Sequence, residues 1–193
     1  SDMVVMAAYA PLFCKKGFNK WNSNLIWFDN RGVWRTCNYY YQQLFSVAGN
    51  RAFEMTDVMN GSEVDGSVYT SPTVDTETGE IFIKFVNSEA VNKNLTVNMG
   101  KGQNRRKYSA TVEFMTSPDT KVKNQGDQNS YSSAQPAAPA GGRGGFGGMG
   151  GARQFSYTEK VVPHTAVLGT VKKSFTMTMP ENSVGVIRLT PVK

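Results

Sequence analysis

The stretch Tyr108-Ser109-Ala110-Thr111-Val112-Glu113-Phe114 alternates apolar and polar residues without a break. Successive side chains of a strand point to opposite faces. The run therefore puts Tyr108, Ala110, Val112 and Phe114 on one face, with Ser109, Thr111 and Glu113 on the other. The same texture recurs on both sides of it. Before it lie Ser67–Thr70, Ile81–Asn87 and Leu95–Met99; after it lie Lys173–Met179 and Val184–Leu189. Asp65-Gly66, Thr78-Gly79, Met99-Gly100 and Pro180-Glu181-Asn182 supply turn chemistry between them. Several short strands with no helix between them point to an antiparallel β-sandwich, jelly-roll-like, from about residue 51 to 193.

The first fifty residues read differently. Met3-Val4-Val5-Met6-Ala7-Ala8-Tyr9-Ala10-Pro11 is continuously apolar. Such a run suits a strand buried on both faces in a parallel sheet. A buried helix segment is the alternative, and the short length and Pro11 favour the strand. A long stretch rich in aromatics and amides follows, from Leu12 to Arg35. Thr36 stands where a helix N-cap belongs. Tyr40, Leu44 and Val47 then repeat at helical spacing, with Tyr41, Phe45 and Ala48 beside them. Gly49 suits a C′ position. Residues 3–49 thus read as strand, long loop and helix, one βα unit. A parallel strand needs parallel neighbours, and none follows. The expectation is a chain that begins inside a larger domain.

The 193 residues carry a net charge of +6, with 39% hydrophobic and 19% charged residues. That is enough apolar material for a sizeable core. No apolar run approaches the ~18 residues of a membrane span. Neither an initiator methionine nor a signal peptide opens the chain. Cys14 and Cys37 are expected as free thiols. His164, the single histidine, is expected at a strand entrance in a structural role, and it cannot make a multi-histidine metal site. No cofactor or metal is expected. Residues 130–153 are low in complexity, with eight glycines between Gly141 and Gly151, and read as a disordered insertion. Arg143-Gly144-Gly145-Phe146 occurs once, whereas RNA-binding segments repeat such units. Lys101, Arg105, Arg106 and Lys107 read as a solvated hairpin loop without aromatic platforms. Neither nucleic acid nor membrane is an expected partner.

Three motifs carry a resemblance: Met6-Ala7-Ala8-Tyr9-Ala10-Pro11-Leu12-Phe13, Trp21-Asn22-Ser23-Asn24-Leu25-Ile26-Trp27-Phe28-Asp29-Asn30, and Asn38-Tyr39-Tyr40-Tyr41-Gln42-Gln43-Leu44-Phe45-Ser46. In this order and spacing they resemble the end of the barrel in α-L-arabinofuranosidases of glycoside hydrolase family 51. Lys160–Pro163, Phe175–Pro180 and Ser183–Leu189 are similar to the last strands of that family's C-terminal sandwich. The resemblance implies a mainly β chain. Residues 1–50 would be the end of a (β/α)8 barrel: its last strand, long loop and last helix. Residues 51–193 would be the sandwich that braces it. It also implies a secreted or periplasmic parent enzyme and an arabinose-containing oligosaccharide or polysaccharide as substrate. The rest of the barrel would be a partner, and the sandwich a contributor to a homo-oligomer.

Retaining glycosidases use two carboxyl groups about 5–5.5 Å apart. In the family these are glutamates on earlier barrel strands. Residues 1–50 hold only Asp2 and Asp29 as carboxylates. No catalytic residue is therefore assigned, and the chain alone is expected to be inactive. Barrel sites are built from loops at the C-terminal ends of strands. Tyr9, Trp21, Asn24 and Trp27 are the candidates for the rim of a sugar pocket, with packing of the loop as the plainer role for Trp27. Two other readings compete. A non-catalytic carbohydrate-binding or structural sandwich leaves the buried parallel strand unexplained. An RNA-binding protein explains only the glycine-rich insertion.

Overall fold

The computed structural model describes residues 6–16, 18, 24–30, 32–49, 51–52, 66–100, 105–124 and 159–192. Three short strands come first: β1 (Phe13–Lys15), β2 (Ile26–Phe28) and β3 (Val33–Arg35). Helix α1 (Cys37–Ser46) follows. The remaining strands are β4 (Arg51–Ala52), β5 (Val68–Val74), β6 (Ile81–Asn87), β7 (Lys93–Asn98), β8 (Tyr108–Thr116), β9 (His164–Val171), β10 (Ser174–Met179) and β11 (Ser183–Pro191). The chain divides into two compact units. One is Ser1–Thr36 with Lys123–Lys160, and the other is Cys37–Val122 with Val161–Lys193. Of the strand expected over Met3–Pro11, residues 3–5 lie outside the described residues and Met6–Pro11 is irregular rather than a strand; the glycine-rich insertion at 130–153 also lies outside the described residues.

The larger unit is antiparallel throughout its described strands. Six strands pair in the order β4-β5-β6-β11-β8-β9, and β10 pairs with β7 in a separate two-stranded sheet. β11 sits between two neighbours: Ile187 stands opposite Ile83 of β6 and Val112 of β8. The face holding Ile81, Ile83, Phe85, Tyr108, Ala110, Val112, Ile187 and Leu189 packs against Val97, Met177 and Met179 of the small sheet. This is the predicted alternation, with Tyr108, Ala110 and Val112 buried. The opposite face is also covered. Phe82, Met115 and Val186 pack with Tyr40 and Leu44 of α1 and with Val161. Burial on both faces explains why Ile-Phe-Ile-Lys-Phe-Val-Asn in β6 is nearly all apolar. Its one charged residue, Lys84, reaches the helix end, where Nζ donates to the Phe45 carbonyl at 2.7 Å. A cation there satisfies an orphan carbonyl and complements the helix dipole.

The helix starts where expected, at Cys37, and ends at Ser46, short of Val47 and Ala48, which were expected within it. Its apolar face is narrower than the sequence suggests. Tyr40 and Leu44 are buried, whereas Tyr41 is exposed and stacks on Phe45 with ring centroids 4.5 Å apart. Gly49 is needed for a different reason from the one expected. It does not close the helix in a left-handed cap. Its N–H donates to Thr73 Oγ1 at 2.9 Å, and a side chain there would strike the Val74 carbonyl group. β9 was legible only at its start, His164. It is an edge strand, mostly exposed, so its sequence carries no alternation.

Both ends of the sandwich are tied. At one end, buried Asn87 Nδ2 donates to the carbonyls of Val91 (2.9 Å) and Pro180 (2.8 Å), joining the β6–β7 and β10–β11 turns. Toward the other end, Glu80 accepts from Arg188 Nε (3.0 Å), Arg188 Nη2 (2.7 Å) and Thr190 Oγ1 (2.8 Å). The Arg188 hydrogen bonds hold the Glu80 carboxyl below its ordinary value.

Three predictions follow from this packing. A Cβ on Gly185 would lie 2.6 Å from the Phe85 ring and 2.7 Å from the Glu113 carbonyl oxygen. Gly185→Ala should therefore destabilise the larger unit by about 1–3 kcal/mol through overpacking, read as a lower urea midpoint. Leu44→Ala should cost about 2–5 kcal/mol by opening a cavity under the helix; no shift in the midpoint would show that α1 is not docked. Because the folded Glu80 carboxyl is depressed, its contribution is present above the ordinary glutamate value and fades as pH falls through the folded one. Stability should thus fall less between pH 5 and pH 2 in Glu80→Gln than in the parent chain, and equal slopes would refute the assignment.

Candidate functional site

The smaller unit holds the described part of the candidate pocket loop. Within the stretch expected as one long loop, Phe13–Lys15, Ile26–Phe28 and Val33–Arg35 form a small sheet in the order β1-β2-β3. β1 runs parallel to β2, with Cys14 opposite Trp27, and β2 runs antiparallel to β3, with Trp27 opposite Trp34. Three-residue strands carry too few residues for a period to show, which is why the alternation test missed them. The β2–β3 connection had a readable signal, Asp29-Asn30 with Gly32. The Asp29 N–H donates to the Gly32 carbonyl at 3.0 Å, and Asp29 Oδ1 accepts from the Gly32 N–H at 3.0 Å. The Asp29 carboxylate is thus a turn-closing acceptor.

Further hydrogen bonds stitch the segments together. The Leu25 and Ile26 N–H groups donate to the carbonyls of Pro11 (3.2 Å) and Leu12 (3.0 Å). Thr36 donates to the Leu25 carbonyl twice, through N–H at 3.2 Å and Oγ1 at 2.8 Å. Thr36 immediately precedes α1, as its cap position requires, and its hydroxyl also anchors β2. The Arg35 N–H donates to Glu159 Oε1 at 2.9 Å.

The four candidate residues separate by burial. Tyr9 is half-buried in the irregular segment before Pro11. Asn24 and Trp27 are 3% and 2% exposed, inside the smaller unit. Trp21 lies outside the described residues. The Pro11–Leu25 hydrogen bond brings the Tyr9 segment beside the Asn24 segment. Trp34, which sequence reasoning passed over, is half-buried, with Lys16 Nζ 4.9 Å from the ring centre. Cys14 and Cys37 are free thiols, and burial pushes the Cys14 thiol above its ordinary value. His164 is exposed, its ring 5.9 Å from that of Phe114. Among the described residues no group of three or more His, Cys, Asp or Glu side chains could hold a metal ion.

Large apolar side chains of this unit stand exposed: Met6, Leu12, Phe13, Phe18 and Val33. Their density in so short a segment exceeds the scatter of single exposed residues on ordinary surfaces.

Comparison with known proteins gives a consistent picture. Residues 1–141 match the family described as the α-L-arabinofuranosidase C-terminal domain. An extracellular exo-α-L-arabinofuranosidase of Streptomyces chartreusis is 42% identical over 45 residues, covering 23% of this chain and 6% of that protein. α-L-Arabinofuranosidase 1 of Arabidopsis thaliana is 27% identical over 186 residues, 95% of this chain and 23% of that protein. The solved structure of an arabinose-bound α-L-arabinofuranosidase of glycoside hydrolase family 51 aligns with a TM-score of 0.68 and 25% identity, over 99% of this chain and 25% of that one. The chain spans less than a quarter of the length of both curated relatives. With its mainly β, antiparallel architecture, the chain belongs to the α-L-arabinofuranosidase C-terminal domain family.

Proposed function

We propose that this chain works as the C-terminal part of a retaining α-L-arabinofuranosidase that releases terminal arabinofuranose from oligosaccharides or polysaccharides. The observation that carries this reading is the family match over residues 1–141. In this reading residues 1–50 supply the last strand, the long βα loop and the last helix of a (β/α)8 barrel. The sandwich braces that barrel from residue 51 onward. The exposed apolar residues Met6, Leu12, Phe13, Phe18 and Val33 are then the surface that the rest of the barrel covers. Burying them there removes apolar area from water at about 25 cal/mol per Å².

Tyr9 and Trp21 contact the sugar at the pocket rim. Asn24 and Trp27, being buried, hold the loop from behind and set the position of that rim. The nucleophile and the acid/base, two carboxyl groups about 5–5.5 Å apart, come from the remainder of the barrel. Asp29 cannot replace either, because its carboxylate closes the β2–β3 turn. The division of labour is therefore specific: this chain shapes one side of the pocket and contributes no reacting group.

The test compares two proteins on an aryl α-L-arabinofuranoside. The intact parent should turn it over, and the 193-residue chain alone should not. In the parent, Trp21→Ala should raise KM about tenfold or more with a smaller change in kcat, as expected for loss of binding shared by ground and transition states. Turnover by the isolated chain, or an inactive parent, would overturn the reading.

A further inference from the structure

The β5–β6 and β9–β10 connections, the described residues 99–100 and 105–107 between β7 and β8, and the end of β11 lie at one end of the larger unit. The register Tyr108↔Val171 sets Lys107 and Lys172 at neighbouring strand ends. The Met99 N–H donates to the Lys173 carbonyl at 2.8 Å, and the Val192 N–H donates to the Lys107 carbonyl at 2.9 Å. Arg106 Nη1 stands 3.4 Å from the point where a Gly79 side chain would begin. Arg105, Arg106, Lys107, Lys172 and Lys173 are all exposed. The sequence shows three of these side by side; the fold adds the other two from a turn more than sixty residues away.

Acids at the same end offset part of this charge. Asp75 Oδ1 accepts from the N–H groups of Glu77 (2.9 Å) and Thr78 (3.1 Å), closing its own turn. Glu80 is taken by Arg188 and Thr190. Among the described acids at this end, Asp75 and Glu77 carry negative charge that no cation pairs, against the five cations. No ion pair links the five cations to a described acid. Neighbouring strands lie about 4.8 Å apart, well inside the ~8 Å Debye length at physiological salt. With their attachment points on neighbouring strand ends, the five cations make this end positive, and a polymer of closely spaced anions would bind it while releasing its own counterions.

We propose that this end of the sandwich docks an acidic polysaccharide, a glycan strand bearing uronate carboxylates. The choice of a glycan rests on the proposed function, which places the chain in an enzyme that works on polysaccharides. Nucleic acid is the poorer fit. Tyr108, next to Lys107 in the chain, is fully buried and so offers no base-stacking platform beside them. Docking there would hold an enzyme on a charged polymer whose neutral branches it trims.

The test uses the full 193-residue chain on immobilised polygalacturonate at 50 mM salt. The chain should be retained, and should not be retained on dextran. Lys172→Ala/Lys173→Ala should weaken retention about tenfold and lower the salt dependence of binding. A control, Lys121→Ala/Lys160→Ala, removes two exposed cations elsewhere and should change retention less than twofold; melting curves check that both variants fold. Absent retention, an equal loss in the control, or equally tight binding to poly(U) would each overturn the proposal. Hydrolysis of a neutral aryl arabinofuranoside by the parent does not involve this surface. Intact hydrolysis without retention would therefore remove the docking surface alone, and retention with an inactive parent would remove the enzymatic reading alone.

Discussion

The contact between the Phe85 ring and the Gly185 backbone is the constraint on which the larger unit depends. Gly185 lies in β11, the strand that joins two otherwise separate blocks. On one side β5 pairs with β6; on the other β8 pairs with β9; among the described strands β11 is the one that connects them. Glycine is present because there is no room for more. Phe85, Phe114 and the Glu113 carbonyl already occupy the space around its Cα. The glycine has no unusual backbone angle, so its role is close approach rather than conformational freedom. Interiors packed to crystal-like density feel the addition of one methyl group.

With β11 in place, the six-stranded sheet acquires two buried faces. One meets the β7–β10 pair and the other meets α1. This helix resembles the last helix of a barrel in sequence, yet in this chain it packs on the sheet through Tyr40 and Leu44. An amphipathic helix buries its apolar stripe against whatever apolar surface lies within reach, and Phe82, Met115 and Val186 offer one. Tyr41 and Phe45 remain beside that stripe with spare apolar area. The smaller unit is the reverse case: its strands are short, it relies on backbone hydrogen bonds, and it leaves large side chains in solvent.

Legibility in the sequence tracked burial. β8 and β6 could be read because their cores are continuous over seven residues or more. α1 could be read because Tyr40 and Leu44 keep helical spacing. β9 could not, since an exposed edge strand is under no pressure to alternate. β1, β2 and β3 are too short to show a period, and their order depends on contacts such as Leu25 with Pro11 that no local pattern encodes. Among the pocket candidates, the residue types were legible but their exposure was not. Trp27 lies in β2, whose pairing between β1 and β3 places it inside, and Asn24 is buried just ahead of that strand.

The central position of β11 has a consequence for synthesis. Ribosomes release a chain from its N-terminal side, so β5, β6, β8, β9 and β10 all emerge before the strand that joins them. Until β11 arrives, β6 and β8 each present an open edge with an apolar face, the kind of surface that recruits chaperones or pairs wrongly with a neighbouring nascent chain. The six-stranded sheet can therefore close only after its last strand has been made.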